Sequence, residues 1–217
     1  MNKTIILEKT KGHVRKTLEG EGSGHDWWHI YRVWKMSKRL ARREKADMFV
    51  VELAALLHDI ADWKFNKGRF DIGPKIVRAW LEKLKVDEDA IAKVCEIVKN
   101  ISFKGAGVKN LIKTKEGMVV QDADRLDAMG AIGIARAFAY GGHAGRTMYD
   151  PAVKSVKHRS FAAYKNAKSG TINHFYEKLL LLKDRMNTQT AKKIAAARHK
   201  FMEQYLDHFY KEWEGRE

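Results

Sequence analysis

VVELAALLHDIADW, residues 50–63, is the stretch whose reading decides the fold. Apolar residues occupy every side of this segment as far as Leu57, and it closes on the adjacent pair His58 and Asp59. A helix that is apolar all round is buried on all sides, so the imidazole and carboxylate at its end stand where an unpaired charge is costly. Two arrangements compensate such a pair. Backbone hydrogen bonds at the helix end are one. The other is a divalent metal ion, which takes a neutral imidazole nitrogen and a carboxylate oxygen and offsets their desolvation. The remainder of the chain has to choose between them.

Upstream, LEGEGSG at residues 18–24 reads as a turn with Ser23 as a candidate N-cap, and an amphipathic helix is predicted from His25 to about Arg43. Trp27, Ile30, Tyr31 and Trp34 recur along one stripe of it. His29 shares another with Val33, Met36 and Leu40, so it faces inward, as a hydrogen-bonded core residue or as a ligand. Asp26 is placed to orient its imidazole. The first twenty residues lack a sustained period. Asp47 is the expected cap of the second helix, which runs to about Ile60. Asp62 follows Asp59 by three residues, and either faces the same ion or caps the next turn.

Downstream, a helix is predicted from Gly73 and Pro74 with Ile76, Val77, Trp80, Leu81 and Leu84 inward. Another follows Asp87 with Ile91, Val94, Cys95 and Val98 inward. The period breaks in ISFKGAGVKN, residues 101–110, a loop whose Lys104 and Lys109 can reach a phosphate. Residues 114–142 then read as one long helical stretch, in which Gly130 and Gly133 permit close packing. Asp124 sits there in a largely apolar setting, as a ligand or paired with Arg125 or Arg136. Residues 141–170 carry a weaker pattern. Two final helices are expected: Ile172 to Met186 with Phe175, Leu179 and Leu182 inward, and Thr190 to Trp213 with Ile194, Phe201, Tyr205 and Phe209 inward. No strand alternation competes with this reading, so the chain is predicted to be all-α, with one domain over residues 1–217.

Composition narrows the functional classes. The 217 residues are 45% hydrophobic and 32% charged, the balance of a folded water-soluble protein, and long enough for one sizeable core. Ile5, Ile6 and Leu7 are too short an apolar run for a signal peptide or a membrane span. The single cysteine, Cys95, allows no disulfide within the chain and fits a reducing cytoplasm. The net charge of +15 suits either a nucleic-acid surface or a site for phosphorylated small molecules. A solvated helical surface rich in Lys is the third reading, and because the basic residues are scattered from Lys9 to Arg216 rather than gathered into an arm, charge alone does not choose.

In chain order His29, the His58-Asp59 pair and Asp124 give the series H, HD, D. This series resembles that of the HD-domain metal-dependent phosphohydrolases. GHDWWHIYRV, ALLHDIADWKF, ISFKG, QDADRLDAMGAIGIARAFAYGG and HFYEKLLLL further resemble motifs of the small bacterial branch of that family, the YpgQ and YedJ type. The resemblance spans residue 24 to about residue 182. It implies an HD-domain-like helical fold, with a metal core at about 24–140 and C-terminal helices at about 171–213. It also implies that His29, His58, Asp59 and Asp124 ligate one divalent ion. Two nitrogens and two carboxylates suit Mn²⁺ foremost, with Co²⁺, Ni²⁺, Fe²⁺ or Mg²⁺ as alternatives. An octahedral ion so held keeps two positions open for water and a phosphate oxygen.

The activity implied is hydrolysis of a nucleotide, foremost release of pyrophosphate from (deoxy)nucleoside triphosphates. The ion would polarise a phosphoryl oxygen and activate water. Monophosphates, cyclic nucleotides and guanosine tetraphosphate are alternative substrates within the family. Asp62 matches the position of an acid that orients water or transfers a proton, with Asp59 beside it in the catalytic set. Lys64, Lys104, Arg136 and Lys178 lie in or beside the matching motifs as candidate phosphate clamps, each with a surface role as its alternative. His13, His158, His199 and His208 match no second-metal pattern, His143 falls in a loop, and His25 is the one candidate near the first site, so one ion is expected. A competing class is a non-catalytic helical module that binds nucleic acid, with the His and Asp cluster only stabilising the fold. Oligomeric state is left open.

Overall fold

The computed structural model describes residues 2–20, 26–60, 72–102, 110–156 and 169–216. Among these residues the regular structure is helical throughout, without strands, as expected for an all-α chain. The helices are α1 (Lys3–Thr17), α2 (Trp27–Glu44), α3 (Met48–Leu57), α4 (Ile72–Lys83), α5 (Glu88–Asn100), α6 (Lys115–Asp127), α7 (Gly130–His143), α8 (Thr171–Glu177) and α9 (Gln189–Trp213). A 3₁₀ segment, Leu179–Arg185, lies between the last two. The chain divides into two compact units. The first holds α1 to α5 and α6 as far as Ala123; the second runs from Asp124 onward.

In the first unit α3 is the central element, in contact with α1, α2 and α5, while α4 pairs with α5. Every residue from Phe49 to Leu57 is buried, as an all-round apolar sequence requires. Its start is fixed by Asp47, whose carboxylate accepts from the amides of Phe49 and Val50 at 2.9 and 3.3 Å. It ends three residues earlier than expected. Leu57 is the last helical residue, and His58 is the C-cap.

The unexpected element is α1. Its buried side chains are Ile6, Thr10 and Val14, spaced four apart, and Asn2 caps it by accepting from the Thr4 amide. One threonine in a stripe of only three positions hides its period. That threonine accepts a hydrogen bond from the Trp80 indole at 3.1 Å, and His13 stacks on the same indole with ring centroids 3.9 Å apart. On α4, Val77, Leu81 and the following Leu84 are buried as predicted, whereas Ile76 is exposed. Asp87 caps α5 as predicted, and Cys95 is half-buried rather than inward, its thiol directed to the Pro74 carbonyl.

In the second unit α9 packs on α7 and on the 3₁₀ segment, and α8 touches both of those elements. The stretch predicted as one helix over 114–142 is broken at Ala128 and Met129. Gly130 has φ of +71°, a left-handed conformation that glycine adopts without strain, and it starts α7 in a new direction. Arg198 of α9 donates to the Leu126 carbonyl there, capping the end of α6. The predicted helix from Ile172 is also split, at Lys178, although Phe175, Leu179 and Leu182 are buried as expected. On α9 the inward stripe is Ala191, Ala195, Met202 and Leu206, and Phe201 is exposed. Of the other residues expected inward, Ile194, Tyr205 and Phe209 are half-buried, and Tyr205 stacks on the buried Phe175 with ring centroids 5.9 Å apart. No helix among the described residues is long and apolar enough to cross a membrane.

Candidate metal centre

The carboxylate and two imidazoles of the first unit meet at the end of α3. His29 comes from the first turn of α2, where Asp26 caps the helix by accepting from the His29 backbone amide at 2.8 Å. Asp26 thus acts on the main chain, not on the imidazole as the sequence suggested. A cap at this position ends the preceding chain and aims the first turn of α2, including His29, inward. His58 and Asp59 follow α3 directly. His58 shares its burial and Asp59 is half-buried, both lying beyond its last helical residue.

The distances are short. His29 Nε2 and His58 Nε2 lie 3.3 Å apart, and the Asp59 carboxylate is 3.4 Å from the first and 3.8 Å from the second. All three donor atoms fall within 4.8 Å of one another. Both histidine side chains are 1% exposed and that of Asp59 is 11% exposed, so the donors converge in a dry setting with one partly open side. His58 Nδ1 is 2.8 Å from the Ala55 carbonyl. A carbonyl only accepts, so His58 Nδ1 donates to it, and the other ring nitrogen, Nε2, faces His29 and Asp59.

This arrangement fits a divalent cation. An octahedral ion with bonds of about 2.1 Å holds neighbouring donors about 3.0 Å apart, and a tetrahedral one about 3.4 Å apart. The observed separations stand at or just above that range, so small inward shifts complete the coordination. Two nitrogens and an oxygen, without thiolate, select borderline or hard ions.

The other predicted site residues are placed as follows. Asp124 lies on α6 and is half-buried. Of the arginines named beside it, Arg136 of α7 pairs with the buried Asp127 at 3.1 Å, and Arg125 donates to the Arg185 carbonyl. Lys178 is half-buried at the junction between α8 and the 3₁₀ segment. Asp62, Lys64 and Lys104 lie outside the described residues, as do Ser23, His25 and His158. Sequence reasoning passed over Glu52, a buried acid on α3 that accepts from Trp34 and Lys38 of α2. A single carboxylate inside FVVELAALL was the signal available.

Residues 27–129 match the family model described as HD domain, a span that contains His29, His58, Asp59 and Asp124. YpgQ of Bacillus subtilis is 38% identical over 212 residues, which cover 96% of this chain and 94% of YpgQ. This chain belongs to the HD-domain family. It is therefore a metal-dependent phosphohydrolase of the HD superfamily, and HD domains bind divalent metals. Solved structures agree across the whole length. A Lactobacillus plantarum protein superposes with a TM-score of 0.88 at 37% identity, covering 99% of this chain and all of that one. An HD-superfamily hydrolase from Bacillus thuringiensis is 46% identical with a TM-score of 0.75, covering 98% of this chain and 99% of that one. YpgQ itself was solved in complex with ADP; its TM-score is 0.76 at 35% identity, with 97% of this chain and 100% of that one covered.

Proposed function

We propose that this HD-family chain hydrolyses nucleotides, releasing pyrophosphate from (deoxy)nucleoside triphosphates with one Mn²⁺ held by His29, His58, Asp59 and Asp124. The observation that carries the metal reading is the 3.3 Å approach of two buried imidazole nitrogens beside the Asp59 carboxylate. The nucleotide reading is supported by the complex of YpgQ with ADP and by the net charge of +15, which favours an anionic substrate.

When bound, such an ion polarises a phosphoryl oxygen and lowers the pKa of water. The residues of the chain do the rest. His58, with its hydrogen committed to Ala55, keeps one tautomer throughout turnover. Asp62 accepts the proton of the attacking water as its oxygen bonds to the α-phosphorus. The α–β bridging bond breaks in the same displacement, giving a nucleoside monophosphate and pyrophosphate. Lys64, Lys104, Arg136 and Lys178 offset charge on the polyphosphate, with Arg136 held in orientation by Asp127. The whole chain, 1–217, works as one hydrolase domain in a reducing cytoplasm, as its single cysteine suits.

The test is a panel of nucleoside tri-, di-, mono- and cyclic phosphates with Mn²⁺, Co²⁺, Ni²⁺, Fe²⁺ or Mg²⁺, with phosphate and pyrophosphate measured separately. Pyrophosphate release from triphosphates, greatest with Mn²⁺ and abolished by Asp59→Ala, is the expected result. Release of orthophosphate alone, or equal turnover by Asp59→Ala, would overturn the assignment.

A further inference from the structure

His29 arrives on α2, and His58 and Asp59 directly follow α3, so the spacing of these three donors depends on how α2 is registered against α3. Apolar faces set this register loosely, because Leu, Ile and Val contacts tolerate sliding and repacking. Glu52 does not. Its side chain is 10% exposed in a helix that is otherwise apolar, and it accepts from Trp34 Nε1 at 2.8 Å and from Lys38 Nζ at 3.2 Å. Trp34 and Lys38 stand one turn apart on α2, and the Lys38 ammonium also lies 4.6 Å from the centroid of the Trp34 ring. From α1, Lys11 approaches that ring at 5.6 Å.

Trp34 lies five residues after His29, and Glu52 six residues before His58. At 1.5 Å per residue the clamp is therefore about 8–9 Å along the helices from the donor atoms, close enough for a shift in one to move the other. Replacing a buried ion pair by apolar side chains is often neutral or stabilising, so stability alone gives little reason for a carboxylate here. A polar contact inside a helix interface does have a well-attested use, which is to specify register.

We propose that Glu52 is a positioning residue of the metal centre: by clamping Trp34 and Lys38 it fixes α2 on α3 and brings His29 Nε2 to His58 and Asp59. This inference rests on the metal reading of those three residues. Its test uses Co²⁺ binding to the full chain, followed through the visible absorption of the bound ion, together with the melting temperature of the metal-free protein. Glu52→Gln keeps an acceptor for Trp34 and should bind Co²⁺ within about three-fold of wild type. Glu52→Leu should bind about ten-fold or more weakly with an altered absorption band, the range seen when support of a metal ligand is lost. The double variant Glu52→Leu/Lys38→Met removes both charges. It should melt no lower than wild type yet bind Co²⁺ as weakly as the single variant, and it is the variant read if Glu52→Leu does not fold. Wild-type affinity and absorption in the double variant would overturn the proposal, as would equal weakening by Glu52→Gln. A wild-type protein that binds no Co²⁺ would instead remove the metal reading beneath it.

Discussion

Gly133→Ala tests the turn that separates α6, the helix bearing Asp124, from α7. A Cβ added at Gly133 would stand 2.3 Å from the carbonyl carbon and 2.4 Å from the carbonyl oxygen of Ala128, where ordinary contact begins at 3.4 Å. Relief therefore requires a movement of about 1 Å. The atoms met are backbone, in the turn fixed by bonds from Ala128 N to Arg125 O at 3.2 Å and from Met129 N to Leu126 O at 3.0 Å. Overpacking costs about 1–3 kcal/mol, occasionally more, and an unyielding backbone places this substitution at or above about 3 kcal/mol. Gly142, in the same helix, has nothing within 4 Å of its added Cβ. Gly142 is the penultimate residue of α7, so Ala there should stabilise by roughly 0.5 kcal/mol or less, below the helix-interior difference. Urea unfolding followed by circular dichroism gives both values. The two variants should shift the midpoint in opposite directions. Gly133→Ala as stable as wild type would refute the close approach described here.

Two further outcomes follow from the site and from α1. Mn²⁺ at 100 times its Kd should stabilise the protein by about 2.7 kcal/mol, raising the melting temperature by roughly 5–10 °C. Calorimetry should show this shift reversed by a chelator and absent from Asp59→Ala. His13, stacked on Trp80, has its pKa lowered by burial and by the charge of Lys83, so the folded protein binds its proton less readily than the unfolded chain does. Stability should consequently fall as pH is lowered from the usual histidine value of about 6.5 through the depressed folded value, and be regained above that window. His13→Asn should flatten this portion of a pH-stability profile measured by denaturant unfolding, whereas an unchanged slope would exclude His13 as its source.

The convergence of His29, His58 and Asp59 was legible because burial and chemistry coincide at one place in the chain. All-round apolarity from Val50 to Leu57 carries His58 and Asp59 into the interior, and the stripe of Val33 and Leu40 carries His29 there. Three things were hidden. The stripe of α1 is broken by Thr10, whose burial depends on an indole partner seventy residues away. The breaks at Met129 and Lys178 are set by tertiary bonds from Arg198 and by local backbone geometry, which leave no mark on helical periodicity. Asp127 and Glu52 look like surface acids in the string, and only the approach of Arg136, Trp34 and Lys38 makes them interior ones. On α9 the expected stripe lies at the edge of the contact: Ile194, Tyr205 and Phe209 are half-buried, Phe201 is exposed, and Ala191, Ala195, Met202 and Leu206 are the buried residues.

Anomalous diffraction at the manganese edge, from crystals grown with Mn²⁺, tests the metal centre most directly. The account requires one strong peak within bonding distance of His29 Nε2, His58 Nε2 and the Asp59 carboxylate, lost in crystals of Asp59→Ala. Density showing those two imidazoles bonded to each other, with manganese bound elsewhere or not at all, would contradict it.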